Sequence, residues 1–107
     1  MNLTRRQLSG DSDVDSVREV CKKYELAHPD SEAKSYRQNL GSIRFRVIDP
    51  AFATMDYAER YRKAWHFLTV LSPDVQGQIS VFLLLTPEEA STSFANMDFE
   101  NPTRSRL

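Results

Sequence analysis

Two short runs decide the fold. Residues 42–49 read Ser42-Ile43-Arg44-Phe45-Arg46-Val47-Ile48-Asp49, and residues 79–85 read Ile79-Ser80-Val81-Phe82-Leu83-Leu84-Leu85. The first alternates apolar with polar residues, the period-two signature of a strand with one face on a core. The second is apolar almost throughout, which predicts a central strand covered on one face and partly on the other. Between them, Tyr57, Tyr61, Ala64, Trp65, Leu68 and Leu71 recur at helical spacing, with Glu59, Arg60, Arg62, Lys63 and His66 filling the rest of the turns. Asp56 with Glu59 three residues on predicts a capping box at the start of that helix. Strand, helix, strand in this order implies a crossover connection and a parallel strand pair.

Upstream, Ala33 to Gln38 reads as a strand, joined to the first run through Asn39-Leu40-Gly41. A type I turn with Gly41 in the left-handed region is expected there. The resulting register sets Gln38 opposite Ser42, Tyr36 opposite Arg44 and Lys34 opposite Arg46. Ile43, Phe45 and Val47 then face the core, and Lys34, Tyr36, Arg44 and Arg46 share the other face. A one-residue slip would pair Tyr36 with Phe45 and bury it instead. Before this hairpin, Asp11-Ser12-Asp13 supplies N-cap chemistry for a helix whose stripe is Val14, Val17, Cys21 and Tyr24, widened by Val20. His28-Pro29 ends it. At the far end, Thr86-Pro87-Glu88-Glu89 is a strong helix start, with Thr as N-cap, Pro at N1 and Glu at N3. That helix is expected to fade by Asn96.

The expected architecture is α+β, a two-layer sandwich in the order α-β-β-α-β-α with a three-stranded mixed sheet. Residues 1–10 read as a flexible arm, 11–96 as one domain and 97–107 as an irregular tail. No run approaches the ~18 apolar residues of a membrane span, and Met1 to Arg6 lacks the apolar stretch of a signal peptide. A cytoplasmic protein that contacts no membrane is therefore expected.

The chain of 107 residues carries a formal net charge of -1. That total hides an uneven distribution. Asp11, Asp13, Asp15, Glu19, Glu25, Asp30 and Glu32 outweigh Arg18, Lys22 and Lys23 in the first helix region. Lys34, Arg37, Arg44, Arg46, Arg60, Arg62 and Lys63 outweigh Asp49, Asp56 and Glu59 in the middle. Lys34, Arg44 and Arg46, with Tyr36 between them, form a candidate anion or nucleic-acid surface: phosphate contacts and one stacking ring. Arg60, Arg62 and Lys63 could extend it. A solvated strand face and helix face is the plainer alternative.

An enzyme is not expected. The three glycines, Gly10, Gly41 and Gly77, build no phosphate loop, and one cysteine with two histidines builds no zinc pattern. Glu88-Glu89 belongs to a helix cap, and Asp49-Pro50 is an ordinary turn as much as a catalytic carboxylate. Cys21, on the apolar helix face, reads as a small buried hydrophobe.

The segment 33–90 resembles the BolA-like family, small proteins with a fold akin to the type II KH domain. The resemblance is carried by Phe45-Arg46-Val47-Ile48-Asp49-Pro50-Ala51-Phe52, by Glu59-Arg60-Tyr61-Arg62 with Trp65, and by Leu85-Thr86-Pro87-Glu88-Glu89. It implies a BolA/KH-like scaffold. In that family a histidine before the last strand and a residue in the strand-to-strand loop are associated with holding an iron–sulfur cluster shared with a monothiol glutaredoxin. Those positions are Gln78 and the Asn39–Ser42 loop here, so no ligand and no cofactor are carried over. The GxxG clamp of nucleic-acid-binding KH domains is also absent. The expected function is a non-enzymatic binding or adaptor domain for a protein partner or nucleic acid. The alternatives are an iron–sulfur-trafficking accessory using His66 or Cys21, and a structural homodimer assembled through Phe94, Met97 and Phe99.

Overall fold

A computed structural model describes residues 11–102. The arm at 1–10 and the end of the tail, 103–107, lie outside the described residues. The order is α1 (Ser12–Ala27), β1 (Glu32–Asn39), β2 (Ser42–Ile48), a 3-10 turn (Pro50–Thr54), α2 (Tyr57–Leu68), α3 (Pro73–Gln76), β3 (Ile79–Leu85), α4 (Pro87–Thr92) and α5 (Phe94–Glu100). It is a mixed α+β arrangement around one three-stranded sheet in the order β1-β2-β3. β1 and β2 are antiparallel, and β2 and β3 are parallel. β2 is therefore the central strand. The more apolar β3 lies at an edge, contrary to the reading of its composition; Leu84 is its one buried residue, and Tyr57 and Arg60 of α2, not a further strand, donate to its Phe82 and Leu84 carbonyls.

The helix ends follow local chemistry. Asp11 accepts a hydrogen bond from the Val14 amide at 3.1 Å and caps α1. Both capping boxes form, Asp56 with Glu59 and Thr86 with Glu89. They satisfy amides that have no partner within their own helix. α2 ends at Leu68, and Ser72 caps the short α3 by accepting from the Val75 amide.

The register sets Tyr36 opposite Arg44 and Lys34 opposite Arg46, as expected, and not the slipped pairing of Tyr36 with Phe45. The turn differs. An irregularity between Arg37 and Asn39 brings Asn39, not Gln38, opposite Ser42. No described residue, Gly41 included, has positive φ. The extra residue in β1 takes up the offset that a left-handed glycine would otherwise supply.

Val17, Tyr24, Ile43, Phe45, Val47, Phe52, Ala64, Leu68 and Leu84 are among the residues that form a continuous core between α1, α2 and one face of the sheet. Fully burying a side chain such as Phe45 or Ile43 contributes about 2 kcal/mol. α2 rotates differently from its apolar stripe. Only Ala64 and Leu68 are buried; Trp65 is half-buried, and Tyr57 and Tyr61 are exposed. The long hydroxyl-bearing rings flank the contact and leave the small and aliphatic residues at its centre.

The opposite face of the sheet carries Tyr36, Arg44 and Arg46, and α5 lies across it. The segment expected to be irregular from residue 97 is helical through Glu100, and it starts afresh after a break at Ser93. The Ser93 side chain caps α5 by accepting from the Asn96 amide at 3.0 Å. Helices thus lie on both faces of the sheet, where a two-layer arrangement is the expectation from sequence.

Candidate binding surfaces

The sheet face predicted as basic and open is basic and closed. Arg46 has no solvent exposure at all, and Arg44 is also buried. Arg46 donates through Nη2 to Glu32 Oε2 at 2.9 Å, through Nη1 to Asn96 Oδ1 at 2.8 Å, and through Nη1 to Glu100 as well. Its guanidinium carbon stands 4.6 Å from the centre of the Phe99 ring. Arg44 donates to Asp98 Oδ2 at 2.9 Å and to Tyr36 Oη at 3.2 Å. Tyr36 in turn donates to the Phe99 carbonyl at 2.7 Å. Its ring contacts the Phe99 ring at 4.9 Å between centres.

The charges respond to this packing. Hydrogen bonding and charge from Arg46 hold the Glu100 carboxyl below its ordinary range, and Lys34 adds to the effect. Burial opposes the Arg44 charge, but Tyr36 and Asp98 outweigh it and push that group up. The Nε atoms of both arginines are buried without a hydrogen-bond partner. Lys34 is exposed at the rim.

The α2 cations are not a continuation of this surface. Arg60 forms a two-pronged pair with Glu89 at 2.6 and 3.2 Å, and it donates to the Leu84 carbonyl at 3.1 Å. Lys63 lies 3.5 Å from Asp49. Arg62 is exposed. Arg60 and Lys63 therefore tie α2 to α4 and to the start of the 3-10 turn. Asp49 is a structural group as well. Oδ2 accepts from the Tyr24 hydroxyl at 2.6 Å and Oδ1 from the Ala51 amide at 2.9 Å. Burial alone would raise its pKa, but these donors and Lys63 together lower it.

The positions tied to iron–sulfur chemistry by resemblance are occupied by structural contacts. Gln78 donates to Asp13 at 2.8 Å and accepts from Arg37 at 3.0 Å, so it joins α1, β1 and the start of β3. Arg37 also pairs with the α1 cap residue Asp11, at 3.0 Å from Nη2. Burial pushes the Cys21 thiol up to about 11. His66 is exposed on α2. Among the described residues, no group of three or more His, Cys, Asp or Glu side chains could hold a metal ion. No helix among them is long and apolar enough to cross a membrane.

Among the described residues, apolar side chains lie grouped and open on α2 and on α5. On α2, Tyr61 stacks on Trp65 at 5.6 Å with 9° between planes, and both rings meet Phe82 of β3 edge-on at 5.1 and 5.5 Å. Tyr57 continues the row and donates to the Phe82 carbonyl at 3.2 Å. On α5, Phe94 is 84% exposed and Met97 49%, whereas Phe99 is turned inward and buried. The three residues proposed for self-association are thus divided between two faces of one short helix.

Sequence reasoning missed Asn96, Asp98 and Glu100, the groups that meet the arginines. Their signal was present: the carboxylates at 98 and 100 match the two arginines at 44 and 46 in number and sign, and the Asn96 amide adds a neutral acceptor. Nothing local places them together. No family model, curated protein or solved structure matches this chain.

Proposed function

We propose that this chain is a non-enzymatic binding domain on a BolA/KH-like scaffold, and that it holds a protein partner against α2. The observed order α1-β1-β2-α2-α3-β3-α4-α5 keeps an α-β-β-α-β-α succession once the short α3 and α5 are set aside, and with the mixed sheet it supports that reading of the scaffold. The observation that carries the binding reading is the row Tyr57, Tyr61 and Trp65 beside Phe82, in which Tyr61 is stacked on Trp65, both tyrosines are exposed and Trp65 is half-buried. Rings with a polar tip bury large area at low entropy cost, which makes them the usual anchors of protein interfaces. The adjacent β3 carbonyls of Phe82 and Leu84 already accept from Tyr57 and Arg60, so the partner packs on the rings rather than extending the sheet. Cross-linking capture from cell extract tests this. The unaltered chain should retain a partner that Tyr61→Ala, correctly folded by circular dichroism, does not. If both capture the same proteins, the surface is wrong. If neither captures any, the adaptor reading fails.

Exposure of Phe94 and Met97 on one side of α5 favours a second reading, a homodimer through that side. Sedimentation of the unaltered chain beside Phe94→Ser separates a dimer from a monomer.

A further inference from the structure

We infer that the sheet face formed by Tyr36, Arg44 and Arg46 is a binding site for single-stranded nucleic acid, and that α5 occupies it in place of the nucleotide chain. α5 brings a flat ring, Phe99, against the Tyr36 ring at 4.9 Å and the Arg46 guanidinium at 4.6 Å. On either side of that ring it presents carboxylates, Asp98 to Arg44 and Glu100 to Arg46. A ring between anions is also what a base between phosphates offers. Tyrosine and arginine planes are the surfaces on which unstacked bases lie.

Two features mark α5 as an incomplete occupant. Both arginine Nε atoms are buried with no acceptor, so α5 leaves part of each guanidinium fork unsatisfied. A phosphate presents several oxygens and can engage the fork through two of them. The carboxylates of Asp98 and Glu100 are nearly half exposed, so they return to water at little cost when α5 leaves. α5 is seven residues long and joins α4 through Ser93, whose backbone is extended with φ -80 and ψ 125. Phe94 and Met97 face outward, so Phe99 is the one buried side chain that holds it down, beside the Asn96 bond to the Ala90 carbonyl. Exposed Lys34 continues the cationic strip beyond the helix.

The test uses the full chain and a fluorescein-labelled oligouridylate of about 12 nucleotides. Anisotropy is measured at about 50 mM salt, where phosphate contacts are strongest. Asp98→Asn with Glu100→Gln weakens the occupant, and the oligonucleotide should bind about tenfold tighter or better than to the unaltered chain. Adding Arg44→Gln and Arg46→Gln should remove the gain. No gain, or a gain that survives loss of both arginines, overturns the proposal. A polyglutamate peptide that competes as well as unlabelled oligouridylate overturns the assignment to nucleic acid and points to an acidic protein instead. Hydrogen exchange on the unaltered chain needs no variant to fold. Saturating oligonucleotide should speed exchange of the α5 amides, and unchanged α5 exchange would show that the helix is not displaced.

Discussion

The guanidinium of Arg46 sits 4.6 Å from the ring centre of Phe99, and no part of the arginine reaches solvent. A strand residue near the middle of the chain and a helix residue near the end of the described segment thus close one face of the sheet. Phe99 is buried against Tyr36 on the same face. Phe99→Ala should cost about 3 kcal/mol, the usual loss for an emptied aromatic site. The denaturant midpoint measures it, and a change under ~0.5 kcal/mol would mean that α5 is held by its ion pairs alone.

The ion pairs around Arg46 are asymmetric. The arginine is fully buried, but Glu32 and Glu100 have side chains 59% and 43% exposed. Removing the carboxylates strands a buried charge, whereas removing the arginine leaves carboxylates that water can solvate. Arg46→Met should therefore destabilise less than Glu32→Gln combined with Glu100→Gln. Urea unfolding of the two variants checks the order, and the reverse order would mean that the pairs themselves dominate.

Acid should loosen the same face. Glu100 has its folded pKa lowered by Arg46, so it binds its proton more readily in the unfolded chain. Its contribution is complete above the unfolded value of about 4.3 and is lost as pH falls through the lower folded value. Asp49 and Glu89 are lowered too and act in the same direction. Stability should be flat from neutral pH down to about 5 and then fall. Glu100→Gln should flatten part of that fall. Thermal unfolding across pH measures both, and an unchanged acid slope in the variant would rule Glu100 out.

Asp49 joins α1 to α2 through Tyr24 and Lys63 while capping the turn at Pro50. It is buried, so loss of its acceptors leaves the Tyr24 hydroxyl without a partner inside the domain. Asp49→Ala should cost about 2–3 kcal/mol, the range for hydrogen bonds to a buried charged group. A loss below ~1 kcal/mol in chemical denaturation would show that Tyr24 finds another acceptor.

Cys21 is buried, and its thiol is pushed up to about 11 by that burial. The thiolate is the reactive form, so iodoacetamide at pH 8 should leave the native chain largely unmodified and label it promptly in denaturant. Mass spectrometry reads both. Rapid native labelling would reopen a ligand role for this residue.

Much of the frame was legible in local signals. The Val14-Val17-Cys21-Tyr24 stripe is buried as its spacing requires, and both capping boxes form. Pairing of Tyr36 with Arg44 was expected from the turn at Asn39-Leu40-Gly41, and it holds although that turn is built differently. The misreadings share one cause. The apolar run in β3 suggested a central strand because composition reports total cover, not whether a strand or a helix supplies it. Trp65 belongs to the apolar stripe of α2 yet stays half-buried, because helical spacing finds the stripe but not the angle at which it docks.

By itself the sequence determined where α1, α2 and α4 begin, which strand residues share a face, and that cations collect in the middle of the chain. Those properties depend on residues a few positions apart. Only the tertiary structure decided whether the cations face water. Arg44 meets Asp98 across 54 positions and Arg46 meets Asn96 across 50. A buried arginine is stable only where acceptors are delivered to it, and their delivery depends on the break at Ser93 and the docking of α5. No periodicity in β2 encodes either.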